Sequence, residues 1–456
     1  MNLQKKIAKS STENLPRKFF TLTGLVFLLK IIIIINIDGN NVGSELSMHF
    51  VKGIWLGADG ENYLTGYKSL LSDGVFSKAF ILNYWPAGYP LLIFLLSFMG
   101  KSWVLVSLAI LQSLVFSITA LYFARQIFKS RIKEYTYIIY IFIILNPTLT
   151  LSTIAIGYES LAASGIMLSS ALIVKDFVDK NKSSFIVLIC CSSVIYGLIG
   201  FIQPRLILTG ILVQTLWIVF RGGVSFKLAI FILSIFIISF LPSALVARNF
   251  VATQSISIST NLGETMAVGA GPGATGGYKK RKMDIPCKIS GTAVERDRQI
   301  TKCAISWHLT NPAQALELFG KKAIYFWSPW TGPLAEGTMA RNPWVSLSPT
   351  ISIARNSTEG YEFITGLGGK IISWLWLIVG SILLIHGFIL LSRLKSFERL
   401  FAITGIVIIL TQMLIAMITV GDHRFRLPIM PWSLLFQAIA LQYTFRIKRN
   451  SQKSLI

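Results

Sequence analysis

Apolar runs of helical length, set apart by short segments rich in Lys and Arg, organise this chain from residue 19 onward. Runs near 19–37, 103–124, 136–156, 160–175, 185–202, 206–220, 228–246, 371–392, 400–420 and 428–445 approach the ~20 residues a helix needs to cross a bilayer core. They predict an all-α polytopic membrane protein with about ten transmembrane helices. The first run follows a basic leader (Lys5, Lys6, Lys9, Arg17, Lys18) with no small-residue cleavage site after it, so it reads as a retained span. Between the fifth and sixth runs, Gln203, Pro204 and Arg205 mark either a break or a tight outer turn. The stretch Tyr89–Met99 is apolar but too short to cross, and reads as a re-entrant or interfacial helix.

Two polar regions interrupt this pattern. Residues 1–246 form an N-terminal membrane bundle whose first outer loop, 38–102, carries candidate chemistry. Residues 247–370 form a large extracytoplasmic loop, 371–445 the C-terminal membrane helices and 446–456 a cytoplasmic tail. Within the large loop, Asn311 followed by Pro312 predicts the start of a helix running to about Trp327. Its Leu316, Phe319, Ala323 and Phe326 would share one side and lay it along the membrane surface.

Composition supports the membrane reading: of 456 residues, 53% are hydrophobic and 14% charged. The formal net charge of +23 belongs to no single basic module, which argues against nucleic acid as a partner. About half of the Lys and Arg fall in alternate inter-run segments and at the two ends, the positive-inside signature, so both termini are expected in the cytoplasm with an even number of spans. Cys190 and Cys191 fall within a run. Cys287 and Cys303 lie in the large loop and are either a disulfide or two unrelated thiols.

Candidate chemistry collects outside the runs. In GADGENY, Asp59 is either a solvated loop acid or a general base; if the segment is helical, Tyr63 shares its face and Glu61 does not. Near the other end, GDHRFRLPIMP places His423, Arg424 and Arg426 at the outer surface, against the positive-inside bias. They either snorkel to lipid head groups or bind an anion such as phosphate, whose oxygens suit the planar donors of Arg. Arg248 in VARNF, and Arg205, are placed similarly. Lys30, inside the first run, either snorkels or pairs internally. Glu159 occupies the turn Gly157–Ser160, as a buried functional acid or an exposed one. Gly271, Gly273 and Gly276 fit a GxGxxG spacing, but without the strand and helix of a dinucleotide site; the turn could still bring backbone N–H groups to an anion. No metal-binding or serine-hydrolase motif occurs, so no metal and no cofactor is expected.

Four motifs in order resemble the family 39 type of the GT-C glycosyltransferase superfamily, which includes protein O-mannosyltransferases and lipid A aminoarabinose transferases. They are Asp59 with Tyr63 followed by WPAGYPLLIFLL (Trp85–Leu96); Gln203-Pro204-Arg205; VARNF followed by ISISTNLGETMAVGAGPGATGGY (Ile256–Tyr278); and HRFRLPIMP (His423–Pro431). The resemblance implies a GT-C type bundle in a bacterial inner membrane, with its active site on the outer face. It implies a polyprenyl-phosphate-linked sugar as donor and a glycan, lipid or protein hydroxyl as acceptor, with inversion. Asp59 would be the base and Glu159 a candidate second acid. Arg248, His423, Arg424 and Arg426 would hold the carrier phosphate, and Tyr63, Glu61, Arg205, Asn261 and Tyr278 are candidate substrate contacts. The chain departs from the family pattern where Gly60 separates Asp59 from Glu61, where Gln203 rather than Arg precedes Pro204, and where Ala270 follows Gly269. Alternatives from other classes are a lipid or polysaccharide transporter or flippase, and an O-antigen type polymerase or ligase.

Overall fold

The computed structural model describes residues 15–36, 50–51, 54–55, 59–179, 182–221, 226–277, 285–327, 367–394 and 397–453. It opens with α1 (Arg17–Asn36) and a small antiparallel hairpin, β1 (Phe50–Val51) and β2 (Ile54–Trp55), with Phe50 opposite Trp55. Then come α2 (Gly60–Asp73), α3 (Phe80–Tyr84), α4 (Gly88–Leu96) and α5 (Val104–Lys129). Next are α6 (Thr136–Ile144), α7 (Pro147–Ser152), α8 (Glu159–Asp179), α9 (Lys182–Ile202), α10 (Ile207–Phe220) and α11 (Lys227–Thr253). The large loop contains α12 (Leu262–Val268), α13 (Ala293–Thr310) and α14 (Pro312–Trp327). The chain continues with α15 (Leu367–Ser392), α16 (Phe397–Ile418), a 3-10 segment (His423–Ile429) and α17 (Met430–Lys453).

Among the described residues, six helical stretches are long and apolar enough to cross a membrane: Arg17–Asn36, Lys101–Lys129, Glu159–Asp179, Ser184–Ile202, Lys227–Thr253 and Phe397–Ile418. The chain is therefore a helical, multi-pass membrane protein. On α11, Leu228, Ile232, Phe236 and Phe240 face outward, as a lipid-facing helix requires.

The run predicted over 136–156 is not one helix. Asn146 caps a new helix through its side chain, which accepts from the Leu149 N–H at 3.0 Å, and Pro147 supplies no N–H to continue α6. Gln203 to Leu206 form a break with a 3-10 turn between α9 and α10. The predicted helix 312–327 is present as α14; its buried side is Ala315, Leu318, Lys322 and Phe326, and Leu316 is exposed. This side is turned inward because α14 packs on α16 and on the 3-10 segment.

At the centre lies α8, packed against α5, α9 and the 3-10 segment. Its run of small residues, Ser160, Ala162, Ala163, Ser164 and Gly165, lets neighbours approach closely. A Cβ on Gly165 would stand 2.5 Å from Ile199 Cδ1. In lipid, where hydrophobic burial does not drive helices together, such close contact supplies the packing energy. One end of α8 carries Glu159. The other carries Asp176, which accepts from Trp217 Nε1 and pairs with Arg221, both at 3.0 Å.

Candidate functional site

Asp59 stands immediately before α2, its carbonyl accepting from the Tyr63 N–H at 3.1 Å. Glu159 opens α8. Arg424 lies on the 3-10 segment and joins the two acids: its Nη2 donates to Asp59 Oδ2 at 2.5 Å and its Nε to Glu159 Oε1. All three are largely buried, with Asp59 4% and Glu159 8% exposed. Both acids sit at helix N-termini, where the helix dipole favours negative charge. Burial works against the Arg424 charge, but Asp59 and Glu159 outweigh it and hold the guanidinium well above its ordinary pKa. Asp59 Oδ1 is buried and has no hydrogen-bond partner among the described residues. One carboxylate oxygen is thus fixed and the other is buried without a partner among the described residues.

Several sequence motifs build this arrangement. Tyr89, from the apolar WPAGYP segment, donates to Gln112 Oε1 at 2.9 Å and accepts from the Gly157 N–H at 2.9 Å. Gln112 in turn donates to the carbonyls of Thr153 and Ala155. Together they fix the turn that carries Glu159. The Tyr63 and Tyr89 rings lie 4.8 Å apart, so the same segment also braces the first turn of α2. Burial and then the Asp59 carboxylate push the Tyr63 phenol well above its ordinary pKa. Gly88 permits the contact behind it, since a Cβ there would fall 1.9 Å from the Phe201 carbonyl.

Asp422 positions Arg424 from below. Its Oδ1 accepts from the Arg424 N–H at 2.8 Å, and His423 Nδ1 lies 3.9 Å from the same oxygen. Burial raises the pKa of Asp422, with the Arg424 N–H and charge acting in the opposite direction. Arg426 donates to the Trp327 carbonyl at 2.7 Å and stacks near that ring, and burial lowers its pKa to about 10. Arg205 donates to the Tyr158 hydroxyl and lies over the Phe425 ring.

Arg248 has a different environment. It donates to the carbonyls of Val75, Ser77 and Leu82 and to the side chains of Asn83 and Asn249. Asn249 Nδ2 reaches the carbonyls of Ser257 and Ile258. The Arg248-Asn249 pair therefore ties the segment around Ser77 and the segment around Ser257 to the end of α11. Glu61 is exposed, and Asn261 accepts from Ser259 at 3.1 Å. Tyr278 lies outside the described residues.

The Gly-rich turn seats against the residues just before the 3-10 segment. Its Gly276 carbonyl accepts from the Gly421 N–H at 2.9 Å, and Gly277 bridges Gly421 in parallel. A Cβ on Gly269 would stand 1.8 Å from the Thr419 carbonyl, so glycine is required for the turn to seat against the approach to Asp422. Cys287 and Cys303 are joined as a disulfide that tethers the start of the segment to α13. Lys30 is buried without a hydrogen-bond partner among the described residues, its ammonium 4.6 Å from the centre of the Phe116 ring. No group of three or more His, Cys, Asp or Glu among the described residues is placed to hold a metal ion.

No protein-family model matches the chain, and no curated protein matches it.

Two residues of this region were not singled out by the sequence. Asp422 carries a readable signal: it stands two residues before Arg424, the spacing at which an Asp side chain caps a turn. Lys322 lies on the buried stripe of α14, and its Nζ has no hydrogen-bond partner among the described residues. Placing that stripe one residue earlier, through Ala315 and Leu318, would have found it.

Proposed function

We propose that this chain is an integral-membrane glycosyltransferase that moves a sugar from a polyprenyl-phosphate carrier to an acceptor hydroxyl on the extracytoplasmic side, in a bacterial inner membrane. The observation that carries this reading is the divided Asp59 carboxylate: Oδ2 is held by Arg424 while the buried Oδ1 has no partner among the described residues. A base fixed by one oxygen and unpaired at the other is suited to take a proton from a hydroxyl brought against it. The resemblance of the four motifs to GT-C transferases supports the donor class, and the helical membrane fold is compatible with a lipid-linked substrate.

In the reaction, the acceptor oxygen attacks the anomeric carbon as its proton passes to Asp59 Oδ1. The bond from that carbon to the phosphate oxygen breaks on the opposite side, which inverts the configuration. One carboxylate is enough, because phosphate departs as a stabilised anion and needs no second acid to protonate it, unlike the leaving group of a glycosidase. Arg424 orients the base, and Glu159 holds Arg424 from the other side.

The test is transfer of radiolabelled sugar from lipid carrier to endogenous acceptor in membranes carrying Asp59→Asn. Loss of a well-placed general base is expected to reduce the rate by roughly 100-fold or more. Wild-type rates in this variant would refute Asp59 as base.

A further inference from the structure

We infer that Arg205 is the residue that receives the phosphate of the lipid-linked donor, with Arg424 acting as a positioning residue for the base. This rests on the carrier-dependent reading above. The argument is one of donors and charges. Arg248 is surrounded by five protein acceptors. Arg424 already faces two carboxylates. Arg426 is turned to the Trp327 carbonyl and ring.

Arg205 differs from each of them. Among the described residues no carboxylate forms an ion pair with it, and its buried Nε has no hydrogen-bond partner. One bond, from Nη2 to the Tyr158 hydroxyl, fixes one corner of the guanidinium. Its Cζ lies 3.7 Å from the centre of the Phe425 ring, so the cation is supported on its face. A guanidinium held by one face and one corner keeps its remaining N–H groups in the plane where two phosphate oxygens bind. A half-buried cation without a counter-ion is costly, and an anionic ligand relieves that cost.

Its position fits the reaction. The Arg205 and Arg424 guanidinium carbons lie 5.3 and 5.6 Å from the centre of the same ring, that of Tyr158. Arg424, which holds the base, and the proposed phosphate receiver are therefore neighbours across one aromatic side chain.

The charge balance favours a cation at this point. The donor is a phosphodiester with one negative charge. When the acceptor oxygen bonds to the anomeric carbon and the carbon–phosphate oxygen bond breaks, the bonding pair stays on phosphate, which leaves as a monoester with one more negative charge. The acceptor proton passes to Asp59. Arg205 then faces charge that grows during the step, where a fixed donor contributes most.

The experiment measures binding to the purified full-length protein in nanodiscs, using farnesyl phosphate as probe, farnesol as its uncharged counterpart and inorganic phosphate as competitor. Wild type is expected to bind farnesyl phosphate at least 10-fold more tightly than farnesol. Arg205→Gln should lose this preference, and Arg205→Lys should retain part of it. Unchanged elution and thermal midpoint exclude misfolding, and the Lys variant gives a second measurement if Gln perturbs the fold. If wild type and Arg205→Gln show the same preference, the inference is overturned while the carrier reading stands. If wild type shows none, both fall. Displacement of farnesyl phosphate by low millimolar inorganic phosphate would assign Arg205 to free phosphate and overturn its role toward a lipid-linked donor.

Discussion

Replacing Lys322 by Met is expected to stabilise the protein. Lys322 is fully buried in α14, its Nζ has no hydrogen-bond partner among the described residues, and the Phe319 ring lies 5.6 Å away. Burial lowers its pKa from 10.5 to about 7. At roughly 1.4 kcal/mol per tenfold change in proton affinity, that fall corresponds to a cost of about 5 kcal/mol, as an upper limit, for folding at neutral pH. The sign follows from proton counting. Between pH 7 and 10.5 the unfolded chain holds the proton and the folded one releases it, so wild-type stability rises with pH across this window and is flat below it. Met fills similar volume without the charge. The assay is thermal unfolding of both proteins in one detergent from pH 6 to pH 10. Lys322→Met should unfold about 5 °C higher or more at pH 6–7, with the difference shrinking toward pH 10. Equal midpoints at pH 7, or a difference that does not change with pH, would refute the reasoning.

Arg424→Gln should destabilise by about 3–5 kcal/mol, because two buried carboxylates lose their shared partner, and adding Asp59→Asn should recover part of the loss in a double-mutant cycle. Additive effects in that cycle would argue against the coupling. Gly269→Ala should cost about 1–3 kcal/mol, since its Cβ would collide with the Thr419 carbonyl. Gly320→Ala, in open space on the same loop's α14, should instead gain roughly 0.5–1 kcal/mol. Both are read by thermal midpoint. Cys303→Ser should lower the midpoint by an amount equivalent to about 2–4 kcal/mol, and reduction of the wild type with dithiothreitol should reproduce it. A midpoint unaffected by either treatment would show that the bond adds no stability.

The apolar runs were legible because a bilayer leaves few alternatives to the helix. The interruption at Asn146-Pro147 is also written in the sequence, as a capping residue followed by proline, inside a run whose apolar character alone predicts one continuous helix over 136–156. Sequence placed Asp59, Arg424 and Glu159 outside the runs. It did not show that one Arg would serve both acids, since contacts over such separations depend on how helices pack. Arg248 illustrates the same limit. Its charge and location suggest an anion, yet the partners it meets are carbonyls of the segment around Ser77, which no local pattern announces. On α14 the apolar side with Leu316 is legible from spacing alone, whereas the buried stripe is hidden because it includes a lysine.

The union of Asp59 and Glu159 through Arg424 also has a consequence for biosynthesis. The arginine lies 365 residues after one acid and 265 after the other, so it leaves the ribosome when most of the bundle is already made. Until then neither carboxylate has this shared cation. The Asp59 carboxylate gains the partner that orients it only once the segment carrying Arg424 is made. Completion of the chain thus acts as the licensing step for the site, and fragments ending before Arg424 are expected to lack it.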